Sequence, residues 1–347
     1  MEAEQAKRIA PVLVLSTGRC GSTMISDVLN LHPDVLSLSE VFSLLGPLAL
    51  LRKRLSGKAM WDMCSRQNPA QRVLLSADAI PSEILYPFDD PQARYATHDV
   101  PPILCAMLPH LTPDYERLYD EMEPIVRGFP RADLADQYRH LFEWLRERFE
   151  RRVWVERSGG SLMSLPRLRR LFPEARVVHV YRDGRDTALS MSRHPAFQIM
   201  LATLDKLQRL GIRPLENTAE VGAVGSLLAQ LFLKLVNPAR MIRRQFDLAA
   251  YGGLWSQMIL RGQKLLAALP PERMLPLRYE DVMQRPKEKL LELITFIDPS
   301  LPHDAWLQEA ARIPQPNPSR YLSLDPQTQR RLTEACAPGL VALGYDA

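Results

Sequence analysis

Two short segments carry side chains whose types and spacing suit the handling of a multiply charged anion. The first is Ser16-Thr17-Gly18-Arg19-Cys20-Gly21-Ser22-Thr23. Gly18 and Gly21 permit a tight turn and a close approach of backbone N–H groups, Arg19 offers a guanidinium fork, and the Ser22 and Thr23 hydroxyls can donate hydrogen bonds. The second segment runs from Arg182 to Ser190, opening with a cation at an expected strand end and closing with a hydroxyl. Alone these also fit a surface cation and a helix serine, and Arg185 between them could pair with Asp183 or Asp186. Between the two segments in the chain stands Glu40, a carboxylate that could take a proton from a nucleophile. Two anion sites and a general base would serve transfer of a small charged group from a phosphorylated donor.

The first segment is not a nucleotide-hydrolysing P-loop. That loop needs four residues between its glycines and a lysine after the second, whereas here two residues separate Gly18 from Gly21 and the cation lies inside the loop. The pattern suits one phosphate plus a smaller anionic group and leaves no place for a triphosphate–metal pair. An ordinary glycine-containing turn remains the competing reading of this loop alone.

These residues need elements that aim them. Val12 to Leu15 reads as a short buried strand, and Met24, Ile25, Val28 and Leu29 recur at helical spacing and stop before Pro33. The loop therefore lies where a strand gives way to a helix, with unpaired N–H groups and the positive end of the helix dipole facing one spot. Further buried strands are expected at Val35 to Leu38, Val73 to Leu75, Val153 to Val155, Val177 to Tyr181 and Met274 to Leu277, with helices such as Leu134 to Phe149 between some of them. Strands alternating with helices predict an α/β fold of three layers, a mostly parallel central sheet with helices on both faces. Arg182 then ends one strand and Glu40 another, both on the edge that carries the first loop. Regions 85–130 and 196–250 fit the alternation poorly and are read as insertions that shape an acceptor pocket within one domain spanning 1–347.

Composition narrows the partners. The chain of 347 residues is 46% hydrophobic and 24% charged, with a formal net charge of +4. It can bury a large core, and its positive balance suits a small anionic ligand but falls short of a nucleic-acid stripe. The acidic start and the short apolar run before Ser16 predict neither a signal peptide nor a spanning helix, so a cytoplasmic protein is expected. Cys20, Cys64, Cys105 and Cys336 lack the paired spacing of a zinc site, and no structural metal is expected. Val41 to Leu51 and Leu227 to Val236 are apolar stretches that end in cations. Such stretches could line a greasy pocket or touch a membrane surface, or be core helices with solvated basic ends.

Arg19-Cys20-Gly21-Ser22-Thr23, followed by His32-Pro33, resembles the 5′-phosphosulfate loop of sulfotransferases that use 3′-phosphoadenylyl sulfate (PAPS), above all the bacterial and tyrosylprotein-type enzymes with their P-loop-like fold. Their loop reads R-x-G-[ST]-[ST] and leads into a helix ending in H-P. In that family an arginine at a strand end and a serine eight positions on hold the 3′-phosphate, and Arg182 and Ser190 match. The resemblance implies PAPS as co-substrate, adenosine 3′,5′-bisphosphate (PAP) as product and no metal. It implies a site in which Gly18, Arg19, Cys20, Gly21, Ser22 and Thr23 hold the 5′ end, Arg182 and Ser190 the 3′ end, and Arg19 and Glu40 act in catalysis. A glutamate after the H-P segment is the family's base, which Glu40 matches; the apolar run behind it should bury it in part. Trp154-Val155-Glu156-Arg157-Ser158 resembles the family's W-x-E-K-[ST]-P segment, with arginine for lysine and Gly159 for proline, so roles for Arg157 and Ser158 stay open. Arg278-Tyr279-Glu280-Asp281 resembles a structural element of the family, and Arg320 lies in a tail that could close over the nucleotide.

The expected reaction is sulfuryl transfer to a hydroxyl of a small, lipophilic acceptor, a lipid or a natural product. Three alternatives remain at this point. His98 competes as base, though its place in the chain is wrong for the family's histidine; a nucleotide-dependent kinase of related fold competes as enzyme; and a non-catalytic phosphoadenosine-binding or interaction protein competes with both.

Overall fold

A computed structural model describes residues 9–346 apart from 52, 77–79, 210, 212–240, 242–243 and 317. Its strands are β1 (Val12–Leu15), β2 (Val35–Ser39), β3 (Arg54–Leu55), β4 (Ala132–Asp133), β5 (Val153–Arg157), β6 (Arg176–Tyr181) and β7 (Met274–Arg278). Strands β3 and β4 form a small antiparallel pair, and the other five build a parallel sheet in the order β2-β5-β1-β6-β7.

The side-chain period of two decides how this sheet is covered. Leu13, Leu15, Leu36, Leu38, Trp154 and Val177 enter one apolar cluster, together with the helices Val41–Leu45, Gly57–Ser65 and Leu134–Arg148. Val12, Val14, Val35, Val153, Val155, Val178 and Val180 enter another, with the helices Ser22–Asn30 and Pro286–Ile297. Both faces are therefore buried, which is why these strands read as continuous apolar runs. The three-layer α/β expectation holds.

Sheet order creates the crevice. From β1 the chain runs past β5 to β2 at one edge, whereas from β6 it runs to β7 at the other, although β1 and β6 are direct neighbours with Val14 opposite Val178. The segments leaving β1 and β6 diverge at the carboxyl edge, where open sheets of this kind bind ligands. A third apolar cluster fixes the β6 side: Ala188, Leu189 and Met191 pack with Trp255, Leu332 and Leu340 of the helices Leu248–Leu266 and Pro326–Ala342.

One expected strand is a helix. Val73 and Leu75 are buried, but they lie in the helix Pro69–Leu75. Asn68 caps its first turn by accepting from the Gln71 N–H at 3.0 Å, and Pro69 stands at the first helical position, where its fixed φ and missing N–H suit the start of a helix. These local start signals outweigh a short apolar run.

The stretch Val41 to Leu51 is largely core, with Val41, Phe42, Leu44, Leu45 and Ala49 buried. Region 85–130 begins as turns and becomes helical at Pro102–Cys105, Met107–Leu111 and Tyr115–Arg127. Of region 196–250, the helix Pro195–Arg209 is described; Leu227 to Val236 and Arg240 lie outside the described residues. Among the described residues no helix is long and apolar enough to cross a membrane, and no cluster of three or more His, Cys, Asp or Glu is arranged to hold a metal ion. All four cysteines are buried and free.

Candidate active site

Five strand ends deliver the site. Ser16 follows β1, Glu40 follows β2, Ser158 follows β5, Arg182 follows β6 and Tyr279 follows β7. The turn after β1 bends through three consecutive or near-consecutive residues of positive φ: Gly18 at 82°, Arg19 at 58° and Gly21 at 84°. Glu40 also has a positive φ, 58°. Arg19, Glu40 and Glu150 are the non-glycine residues with this geometry among those described, and two of the three are the residues singled out for catalysis. Backbone held in the sparsely populated left-handed region by its surroundings is characteristic of sites that aim a side chain.

The loop joins the two anion segments directly. Arg19 Nε donates to Ser190 Oγ at 3.1 Å across 171 positions of sequence. A cavity of about 440 Å³ lies here, lined by Arg19, Arg182, Arg193, Arg320 and Ser190 among others. Asp186 is the acid on its wall, and its Oδ2 lies 3.7 Å from Arg182 Nη2. A second cavity, of about 340 Å³, shares Arg19 and His194 with the first. Gly18, Ser22, Thr23, Glu40 and Arg157 form its polar end, and Leu44, Ile84, Met163, Phe197, Met200 and Met258 give it apolar walls. Cys20 and Gly21 reach neither cavity with side chains: Cys20 is fully buried, with its thiol 3.4 Å from the Val180 carbonyl, and burial pushes that thiol pKa up. Their contribution to the loop is backbone.

Tyr279 ties the loop to the strand-end arginine. Its ring lies 4.6 Å from the Arg182 guanidinium, and a Cβ added at Gly21 would overlap the same ring. Gly21→Ala therefore combines a left-handed backbone penalty with overpacking, about 2 to 4 kcal/mol together. Thermal unfolding should show the variant's Tm lowered by roughly 3–5 °C; an unchanged Tm would refute the wedge.

Glu40 is buried, 7% exposed, with a cation beside it. Arg157 donates to its Oε1; Ser43 Oγ donates to its Oε2, and the Gly159 N–H donates to the same oxygen at 3.0 Å. A carboxylate has about four acceptor sites, so one stays free on the wall of the second cavity. Arg157, left open from the sequence, thus lines the second cavity as the partner of Glu40. Ser158 does not: its hydroxyl accepts from the Phe42 and Ser43 N–H groups at 3.0 and 3.3 Å and donates to Glu156, so it anchors the helix Val41–Leu45 that follows Glu40.

Glu156 is wholly buried, and its second carboxyl oxygen has no hydrogen-bond partner. Burial, with a contribution from the Glu40 charge, lifts its pKa from 4.5 to about 8. The folded state then holds a proton that the unfolded state releases between about pH 4.5 and 8, so this group's stabilisation is complete below pH 4.5 and is lost as pH rises through 8. Glu156→Gln keeps an acceptor for Ser158 without the titration. Its Tm should exceed that of the parent at pH 9 and the difference should shrink toward pH 5, in melts followed by circular dichroism; parallel pH profiles would refute the assignment.

The remaining sequence candidates separate cleanly. His98 is exposed and lines neither cavity. Arg185 is held by Asp183 through paired hydrogen bonds of 2.6 to 3.2 Å. Glu280 accepts from the Asp183 N–H at 2.9 Å and from the Tyr345 hydroxyl at 2.7 Å, a structural role as expected for its segment. Arg320 and Pro318 of the tail do line the first cavity, while Asn317 lies outside the described residues. The cavities take nothing from 85–130; Pro81, Glu83 and Ile84, just before that region, line the second instead. Ala196, Phe197 and Met200 of region 196–250 do line the second cavity, whereas Glu83, His194, Met163 and Met258 were not singled out, because nothing in their local sequence distinguishes them from core or surface.

Comparison with known proteins gives the family. A sequence model described as Sulfotransferase family matches residues 11–217, and one described as Sulfotransferase domain matches residues 128–314. No curated protein matches the chain. Solved structures similar to it include the sulfotransferase domain from the curacin biosynthetic pathway, at 14% identity and TM-score 0.48, covering 98% of this chain and 99% of that one. The sulfotransferase domain of the Synechococcus PCC 7002 olefin synthase is 15% identical, with TM-score 0.46 and coverage of 100% and 98%. Sulfotransferase STF9 from Mycobacterium avium is 16% identical, with TM-score 0.41 and coverage of 98% and 78%.

Proposed function

Because the chain belongs to the sulfotransferase family, we propose that it moves a sulfuryl group from PAPS to a hydroxyl of a small lipophilic acceptor. The observation that carries this reading is the pair of adjoining cavities that meet at Arg19, one rich in arginine and one largely apolar. PAPS has an anionic group at each end of its ribose, and the donor set fits it: four arginines and Ser190 in the first cavity, loop N–H groups and hydroxyls at the boundary.

Bound PAPS supplies an activated sulfuryl group on a phosphate leaving group, open to in-line displacement at sulfur. In our reading Arg182 and Ser190 grip the 3′-phosphate. The Gly18-to-Thr23 loop and the Arg19 guanidinium hold the 5′ end and stabilise the charge that grows there as the bond breaks. Glu40 takes the proton of the acceptor hydroxyl at its free acceptor position, while Arg157, Ser43 and the Gly159 N–H keep the carboxylate in place. Leu44, Phe197 and the methionines exclude water and favour an apolar alcohol or phenol, a flexible thioether wall being adaptable in shape. We assign the reaction to the cytoplasm, a reading supported by four free thiols.

Calorimetric titration with PAP, set against ATP–Mg²⁺, tests the donor. PAP should bind and ATP–Mg²⁺ should not, and PAPS incubated with a panel of apolar phenols and alcohols should release PAP. Preference for ATP–Mg²⁺ would overturn the reading in favour of a kinase.

A further inference from the structure

At the junction of the two cavities the anion position is already taken by the protein itself. Arg19 forms an ion pair with Oε1 of Glu83, and His194 Nε2 lies 3.4 Å from Oε2 of the same carboxylate. The tautomer of His194 follows from its other nitrogen: Nδ1 accepts from the Ala196 N–H at 3.2 Å, so Nε2 carries the proton on the side of the ring that faces the Glu83 carboxylate across 3.4 Å. Burial and the neighbouring Arg19 push the His194 pKa down to about 4. The ring is thus a neutral N–H donor at ordinary pH. The Ser82 hydroxyl adds a 3.4 Å contact to Oε2. Arg19 and Ser82 thus donate to one carboxylate that also lies beside the His194 ring, and Pro81 lines both cavities.

Two properties make this pair more than a surface salt bridge. The side chains of Arg19, Glu83 and His194 are only 25%, 17% and 14% exposed, so the interaction is poorly screened. Arg19 also holds Ser190 through Nε, so the guanidinium is oriented without help from Glu83. The carboxylate is therefore not the arginine's sole anchor.

We propose that Glu83 sets the affinity for the donor by occupying, in the free protein, the anion position made by Arg19 and His194, and that the donor's 5′ anionic group takes this position by exchange. His194 then serves as the second N–H donor to that group, and Glu83 is displaced toward solvent. The inference rests on the donor reading above and deepens it: the site binds its anion by substituting one negative charge for another, which weakens the product as well as the donor and so favours release of PAP.

Glu83→Gln keeps the size of the side chain and removes its charge. PAP should bind this variant roughly tenfold more tightly than the parent, since a neutral amide holds Arg19 far less strongly than a carboxylate does. His194→Ala should bind PAP several-fold more weakly. With a working acceptor, Glu83→Gln should lower KM for PAPS with a smaller effect on kcat, or a fall in kcat where product release limits turnover. A scaffold role predicts the opposite sign, weaker PAP binding in Glu83→Gln. If the parent binds PAP and Glu83→Gln binds it equally or less well, the competitor role is overturned and the donor reading stands. If neither protein binds PAP, both are overturned.

Discussion

Arg182→Ala should lose PAP affinity by on the order of a hundredfold, measured by calorimetry, with its Tm little changed. The guanidinium stacks on Tyr279, is 19% exposed, and faces the cavity it shares with Arg19, Arg193, Arg320 and Ser190. Charge-assisted hydrogen bonds to a phosphate contribute about 1.5–3 kcal/mol each, and an arginine fork can make two of them. Removal has a second cost. Asp186, now 3.7 Å from Arg182, would face the incoming phosphate with its charge uncompensated. Arg182→Lys should fall between the two, because lysine restores the charge but not the fork. The affinity of the parent should also drop steeply with salt, and that slope should be shallower in Arg182→Ala. A change of less than about threefold would remove Arg182 from the phosphate site and leave Arg193 or Arg320 to take its place.

Glu40→Gln should reduce kcat by about 10²- to 10⁴-fold, the usual contribution of a general base, and leave PAP affinity within a few-fold of the parent. The buried pair with Arg157 complicates the measurement, since the substitution strands a guanidinium whose side chain is 3% exposed. Loss of one partner of a buried ion pair costs about 3–5 kcal/mol, less where an amide still accepts a hydrogen bond, so the Tm should fall as well. The double variant Glu40→Gln/Arg157→Gln separates the two effects. It removes the stranded charge and should recover part of the lost stability, while turnover stays low because no carboxylate is present to take the proton. Recovery of turnover in the double variant would show that Glu40 serves only to neutralise Arg157, and the base would have to be sought elsewhere on the wall of the second cavity.

The expected PAP dependence of these two variants is reciprocal. Arg182→Ala disables binding with the base intact, and Glu40→Gln disables proton transfer with binding intact. A non-catalytic phosphoadenosine-binding protein would respond to the first and show no turnover to lose in the second.

The sequence alone determined the local parts. Short apolar runs of three to five residues located all five strands of the main sheet, β1, β2, β5, β6 and β7, because strands covered on both faces are largely apolar. The Gly18-to-Thr23 loop was picked out because glycine, arginine and hydroxyl residues between a strand and a helix suit an anion, and the interval from Arg182 to Ser190 only because it matches the sulfotransferase pattern; either segment alone also fits an ordinary turn or helix start. The helix Pro69–Leu75 was misread because a run as short as Val73 to Leu75 fits strand and helix alike, and the decisive signal was the cap at Asn68.

What only the tertiary structure decided is which distant residues meet. Sheet order, with β1 between β5 and β6, brings Arg19 against Ser190 and Glu40 against Arg157. Neither pairing has a sequence signature, since strand order is set by how two apolar faces are covered and not by any residue at the strand ends. The same holds for Glu83 and His194, which belong to no motif; a carboxylate in a proline-rich stretch and a histidine at a helix start become site residues only because the crevice between β1 and β6 opens toward both. Local chemistry is written in types and intervals, whereas the site is a property of the chain's return path, which depends on burial summed over the whole molecule.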